Sequence, residues 1–148
     1  MASAQERNKG TLLRLYQEVF DRGDIDAADE LITEDRPDHD PNLPPEMTQG
    51  RLGFKRFAAA FRAGVPDVRF ASDLLVAEGD MVVSYARISG TQTGELMGMP
   101  ATGRRFEIVN ADLCRFTAEG LIAEHWGVRD MIGMLRQLGV APPAPWQQ

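Results

Sequence analysis

Cysteine is almost absent from this chain. Cys114 stands alone among 148 residues, so no internal disulfide can form, and a cytoplasmic, reducing setting is expected. Long apolar runs are missing as well: none approaches the ~20 residues that cross a bilayer, and the opening "MASAQERNKG" lacks the apolar stretch of a secretory signal, so no membrane role is expected. Positive charge is in short supply, with 16 Lys and Arg against 22 Asp and Glu and a net charge of -6. Phosphate backbones would be repelled, "GRR" at 103–105 is too short to offset this, and no nucleic-acid partner is expected. The chain also lacks a Gly-rich phosphate loop, a GxSxG elbow and a CxxC pair, which removes the usual support for nucleotide binding and for serine or dithiol chemistry.

What is present is an ordinary folded composition, 43% apolar and 26% charged, in a length suited to one domain. Leu12, Leu15, Tyr16, Val19 and Phe20 recur at helical spacing before Gly23, predicting a helix over 10–22. Asp24 is expected to cap a short second helix carrying Ile25, Ala28, Leu31 and Ile32. The four prolines of "RPDHDPNLPPE" then break regular structure, and a third helix carries Phe54, Phe57, Ala58 and Phe61. After Pro66 come four β-rich runs, "VRFASDLLVAE", "MVVSYARISG", "RRFEIVNADLCRF" and "LIAEHWGV", and a last helix with Met134, Leu135 and Leu138 follows Asp130, an expected N-cap. Helices first and strands afterwards is the α+β pattern, in which a curved sheet folded around a long helix makes a cone with a pocket inside.

Strand alternation puts Ile108, Asn110, Asp112, Cys114 and Phe116 on one face and Val109, Ala111, Leu113 and Arg115 on the other. Both sets are largely apolar, so both faces are expected to be covered. Asp112 stands out as a carboxylate among apolar neighbours, either poised for general acid or base work, or paired structurally with an arginine such as Arg87 or Arg105, or lying at an exposed strand bend. If the third and fourth strands form a hairpin, His125 shares its cavity, as proton carrier or as structural histidine. Tyr16 lies on the helix stripe, where a buried hydroxyl needs a polar partner and can meet substrate. His39 in "DHDP" either orients a carbonyl or sits on a surface loop. Asn110, the loop residues Met97 and Met99, and Trp126, which alternation puts on the opposite face from His125, complete the expected substrate-binding set. His39, His125 and Asp112 match a two-histidine, one-carboxylate metal pattern in type only. No two of them have a metal-binding spacing, so no metal is expected.

In order along the chain, "DHDP", "GFKRFAAAFRAGVPDVRF", "GTQTGELMGMPATGRRFE", "DLCRF", "GLIAEHW" and "GMLRQLGV" resemble the SnoaL-like polyketide cyclases of the nuclear-transport-factor-2-like superfamily, from about residue 10 to residue 140. The resemblance implies a cone-shaped α+β barrel, with residues 1–140 as one SnoaL-like domain and 141–148 as a Pro-rich tail. It implies an apolar pocket for a hydrophobic small molecule, no cofactor, and a homodimer formed through the outer sheet face. Founding cyclases close the last ring of an anthracycline precursor by an intramolecular aldol reaction, in which an aspartate removes a proton beside a carbonyl. Aligned on "GLIAEHW", that aspartate falls at Gly127, which cannot transfer a proton, and an assisting histidine falls at Asp112. The expectation is therefore a cofactor-independent, ester-cyclase-like lyase or isomerase with Asp112 as base, assisted by His125, Asn110 or Tyr16. The alternatives are an accessory protein of polyketide hydroxylation and a non-catalytic module that binds small molecules.

Overall fold

Ser3 starts the first helix by accepting the amide of Glu6 at 3.1 Å, with the Glu6 carboxylate in the first turn, where the helix dipole favours it. The computed structural model describes residues 2–142 and 146, and of the Pro-rich tail residues 143–145 and 147–148 lie outside it. Helix α1 spans Ala4–Arg14 and begins earlier than its apolar spacing predicts, because its first turns are polar and leave no periodic signal. It widens into a π-helical segment, Leu15–Asp21, closed by the amide of Arg22 on the carbonyl of Gln17, five residues back, at 3.0 Å. The wider turn buries Leu15, Tyr16, Val19 and Phe20 together.

The predicted second helix is a 3-10 turn, Ile25–Glu30. Asp24 does not cap it with its side chain, since the Asp24 backbone carbonyl takes the Ala27 amide at 3.2 Å instead. The proline-rich stretch also departs from expectation. Residues 31–39 run alongside the fourth strand and exchange four backbone bonds with it, from Ile122 to Leu31, Thr33 to Ile122, His125 to Pro37 and His39 to His125, at 2.8 to 3.1 Å. Prolines remove donors but leave carbonyls free, and Pro37 contributes its carbonyl. Helix α2, Gly50–Gly64, then turns Phe54, Ala58 and Phe61 into the core.

The strands β1 (Arg69–Glu78), β2 (Met81–Thr91), β3 (Arg105–Phe116) and β4 (Ile122–Arg129) form an antiparallel meander in that order, with a register shift between Ser72 and Leu74. Tight returns at Gly79 and Gly120, both with positive φ, suit hairpin ends. Helix α3, Met131–Gln137, is capped by Asp130, which accepts the Gly133 amide at 2.9 Å, and Gln137 docks it on β3 through two bonds to the Glu107 backbone. The sheet curves around the first helix, with Tyr16, Phe20 and Phe70 stacked at the junction. On β3 the inward set is buried from Phe106 to Phe116, but the outward set is only partly covered: Ala111, Leu113 and Arg115 are half-buried and Val109 is 40% exposed. No helix among the described residues is long and apolar enough to cross a membrane.

Candidate active site

In the β3–β4 hairpin Asp112 lies opposite Gly127 and Cys114 opposite His125, so Asp112 and His125 are diagonal neighbours on the inner face. His125 Nε2 stands 2.8 Å from Asp112 Oδ1, and Nδ1 stands 2.9 Å from Asp38 Oδ1. With a carboxylate at each nitrogen the ring donates twice, as an imidazolium. Burial alone opposes the charge, but the bonds to Asp112 and Asp38 outweigh it and push the His125 pKa up to about 9. Asp38 responds in kind: burial would raise its pKa, yet His125 and Arg36 hold it below the usual carboxylate range.

The other oxygen of Asp112, Oδ2, accepts from the Tyr16 hydroxyl at 2.6 Å and from Asn110 Nδ2 at 2.8 Å. Tyr16 is fixed as a donor because burial, and then the negative charge of Asp112, drive its pKa far upward. A carboxylate has about four lone-pair sites. Oδ2 has used both of its own and Oδ1 one, so Oδ1 retains one free acceptor position. The neighbouring Cys114 thiol is likewise held neutral by burial and by Asp112.

Two buried arginines complete the floor. Arg36 donates to Asp38 at 3.1 Å and lies over the Phe54 ring, while Arg129, at the end of β4, bonds Asp40 and lies over the Phe57 ring. Burial lowers the pKa of both, that of Arg129 to about 10. Gly127 makes room for this arrangement. A Cβ there would stand 2.9 Å from His125 Cε1 and 3.3 Å from Asp40 Oδ2.

These groups form the floor of a cavity of about 490 Å³, counted with its open mouth, whose walls carry Leu12, Phe20, Phe54, Phe57 and Phe70. Apolar walls with a few convergent polar groups are the usual design of a small-molecule site. The walls are apolar and aromatic, and a carboxylate with a free lone pair faces them at the floor.

The expected residues divide into two sets. Asp112, His125 and Tyr16 line the cavity, and Asn110 donates to Asp112; Arg87 pairs with Asp73 and Glu107 rather than with Asp112. His39, Trp126, Met97 and Met99 do not line it. His39 stacks on Trp126 with centroids 5.0 Å apart and bonds Glu124 at 2.7 Å on the outside, so it also stays apart from any metal set with His125 and Asp112. Met97 is 55% exposed on a loop closed on itself by bonds between Leu96 and Met99. Arg36, Asp38, Asp40 and Arg129 were missed. Carrying the alternation of Ala123, His125 and Gly127 one step further would have found Arg129.

A family model for the SnoaL-like polyketide cyclases matches residues 10–138. Among curated proteins the chain is similar to the aklanonic acid methyl ester cyclase DauD of Streptomyces sp. (strain C5), 30% identical over 140 residues, which are 90% of this chain and 83% of that one. It is also similar to the nogalonic acid methyl ester cyclase of Streptomyces nogalater, 32% identical over 133 residues, which are 86% of this chain and 92% of the other. Among solved structures, TsrD from Streptomyces laurentii superposes with a TM-score of 0.82 at 28% identity, covering 95% of this chain and 99% of that one. IdmH from Streptomyces antibioticus gives 0.77 at 34% identity, covering 90% and 99%.

Proposed function

Because this chain belongs to the SnoaL-like polyketide cyclase family, we propose that it closes a ring on a hydrophobic, esterified polyketide carbonyl compound by an intramolecular aldol reaction with Asp112 as the base. Asp112 Oδ1 takes a proton from the carbon beside a carbonyl, and the C–H electrons pass to the carbonyl oxygen as an enolate. The enolate carbon attacks a second carbonyl of the same molecule, forming the C–C bond, and the resulting alkoxide recovers the proton. Atoms and charge balance without a cofactor. Tyr16 and Asn110 orient the carboxylate, and His125 fixes Oδ1. The observation that carries this reading is the free acceptor position on Asp112 Oδ1 at the floor of an aromatic cavity. The hydroxylation-accessory and non-catalytic readings are not favoured, since the curated relatives are ester cyclases.

The test is turnover of aklanonic or nogalonic acid methyl ester by the wild type and by Asp112→Asn. Loss of general base catalysis is expected to cost about 100- to 10,000-fold in kcat. A variant within twofold of the wild type would end the assignment of Asp112.

The outer sheet face supports a homodimer. Leu74, Val76, Val83, Tyr85, Val109 and Val128 are exposed on it, with Arg87–Asp73 and Arg115–Glu124 pairs at its ends, the apolar centre and charged rim of an interface. Sedimentation should give twice the chain mass for the wild type and the single mass for Val128→Asp. A monomeric wild type at micromolar concentration contradicts the pairing. A cytoplasmic setting keeps the lone Cys114 thiol reduced and fits this reading.

A further inference from the structure

Three acidic side chains, Asp38, Asp40 and Asp112, and three basic ones, Arg36, Arg129 and His125, are paired with one another at and beneath the cavity floor. Tyr16 and Cys114, the other titratable groups against them, stay neutral. With His125 bonded through both nitrogens to carboxylates, the cluster is electrically balanced, three against three. An uncharged substrate leaves that balance intact. Transfer of a proton to Asp112 changes it, leaving three cations facing two carboxylates and one positive charge in excess.

Two guanidinium groups are placed to answer the negative charge that appears at the same moment. Arg36 and Arg129 line the cavity, their side chains are 3% and 8% exposed, and each is held over a phenyl ring of the wall. Each spends a terminal nitrogen on one aspartate, and among the described residues the Nε–H of each has no partner. Buried donors without partners are uncommon and costly, so both guanidinium groups carry hydrogen-bonding capacity that the protein itself does not use. Preformed donors aimed at charge that develops during a reaction stabilise the transition state more than the ground state.

Resting on the proton-abstraction reading above, we propose that Arg36 and Arg129 form the oxyanion site of this enzyme, binding the enolate oxygen once Asp112 is protonated. The same balance sets the substrate class. The floor accepts an uncharged ketone or ester and disfavours a carboxylate in that place, because a carboxylate would bring an unmatched negative charge before any proton has moved.

The test uses pentafluorophenol, mostly ionised at pH 6.5, as a mimic of the enolate oxygen, with pentafluoroanisole as its uncharged counterpart, both followed by fluorine NMR titration of the full chain. Asp112→Asn imitates the charge of the protonated aspartate. It is expected to bind the phenolate about tenfold or more tighter than the wild type, a modest share of the attraction between close charges in a partly screened site. Pentafluoroanisole should bind both alike. Adding Arg129→Met or Arg36→Met to Asp112→Asn should abolish the gain, and the Arg Nε–H signals should shift on phenolate binding in the Asp112→Asn protein. Should Arg129→Met not fold, Asp40→Asn with Arg129→Met removes both members of the pair, leaves the net charge unchanged, and is expected to lose the gain as well. An unchanged phenolate affinity in Asp112→Asn, or a gain that survives loss of either arginine, overturns the oxyanion site. Loss of turnover in Asp112→Asn would still uphold Asp112 as the base in that event. Retained turnover would instead remove the base itself.

Discussion

Each face of the sheet carries an exception to the usual distribution of polarity. The inner face of β3 and β4 carries Asp112, His125 and Arg129, and the outer face of the same strands carries Val109 and Val128, well exposed. The alternation that separates the faces does not by itself say which of them meets solvent. Charge can be buried where every charge has an opposite partner, and apolar side chains can be left outside where a second copy covers them.

The comparison can be broken from the inside. Arg129→Met leaves the fully buried Asp40 carboxylate without its cation, and loss of one partner of a buried pair costs about 3–5 kcal/mol. Urea unfolding should show this loss, and Asp40→Asn in the same chain should restore a large part of it. If Arg129→Met unfolds like the wild type, the inner charges are not mutually dependent.

Proton linkage sharpens the same point. The folded-state pKa of His125, raised to about 9, lies above its ordinary value near 6.5, so its contribution is complete below about pH 6.5 and is lost as pH rises through 9. The interval corresponds to about 3 kcal/mol. Asp38 acts in the opposite sense: its depressed pKa contributes above the ordinary carboxylate value of ~3.9 and is lost as pH falls through the lower value. Stability measured by urea midpoint should therefore be highest between about pH 4 and 6.5, and should decline toward pH 9 in the wild type but not in His125→Gln. A wild-type midpoint that holds steady from pH 6.5 to 9 would show that His125 gains no proton on folding.

The smallest effect tests the space rather than the charge. Gly127→Ala sets a methyl group 2.9 Å from His125 Cε1, and overpacking of this kind costs about 1–3 kcal/mol. Turnover should fall by more than stability, because the ring has to move off Asp112 Oδ1. Equal turnover in Gly127→Ala would show that the His125 position is not fixed by the glycine.

Much of the site was legible because strands have a strict period. Asp112, Asn110 and His125 came from counting by twos, and Tyr16 came from the helical stripe of the first helix. The same count put Trp126 outside, against its expected role in substrate binding, and the count was right. Arg36, Asp38 and Asp40 had no such signal. They sit on irregular chain between prolines, and only the backbone bonds of that chain to β4 bring them under the sheet. His39 failed as a pocket residue for the complementary reason: it is next to Asp38, but extended chain turns adjacent side chains to opposite sides. The covering of both faces of β3 was half right among the described residues, and the outer half depends on the proposed second copy.

Residues 31–39 also close one edge of the sheet. They occupy the free side of β4, and at the opposite margin β1 breaks register between Ser72 and Leu74. The β4 margin therefore offers no long row of open backbone groups to a further strand, and the β1 margin is interrupted by its bulge. Growth by adding a strand to β4 is thereby obstructed, and the proposed pairing through the apolar face would use that face up.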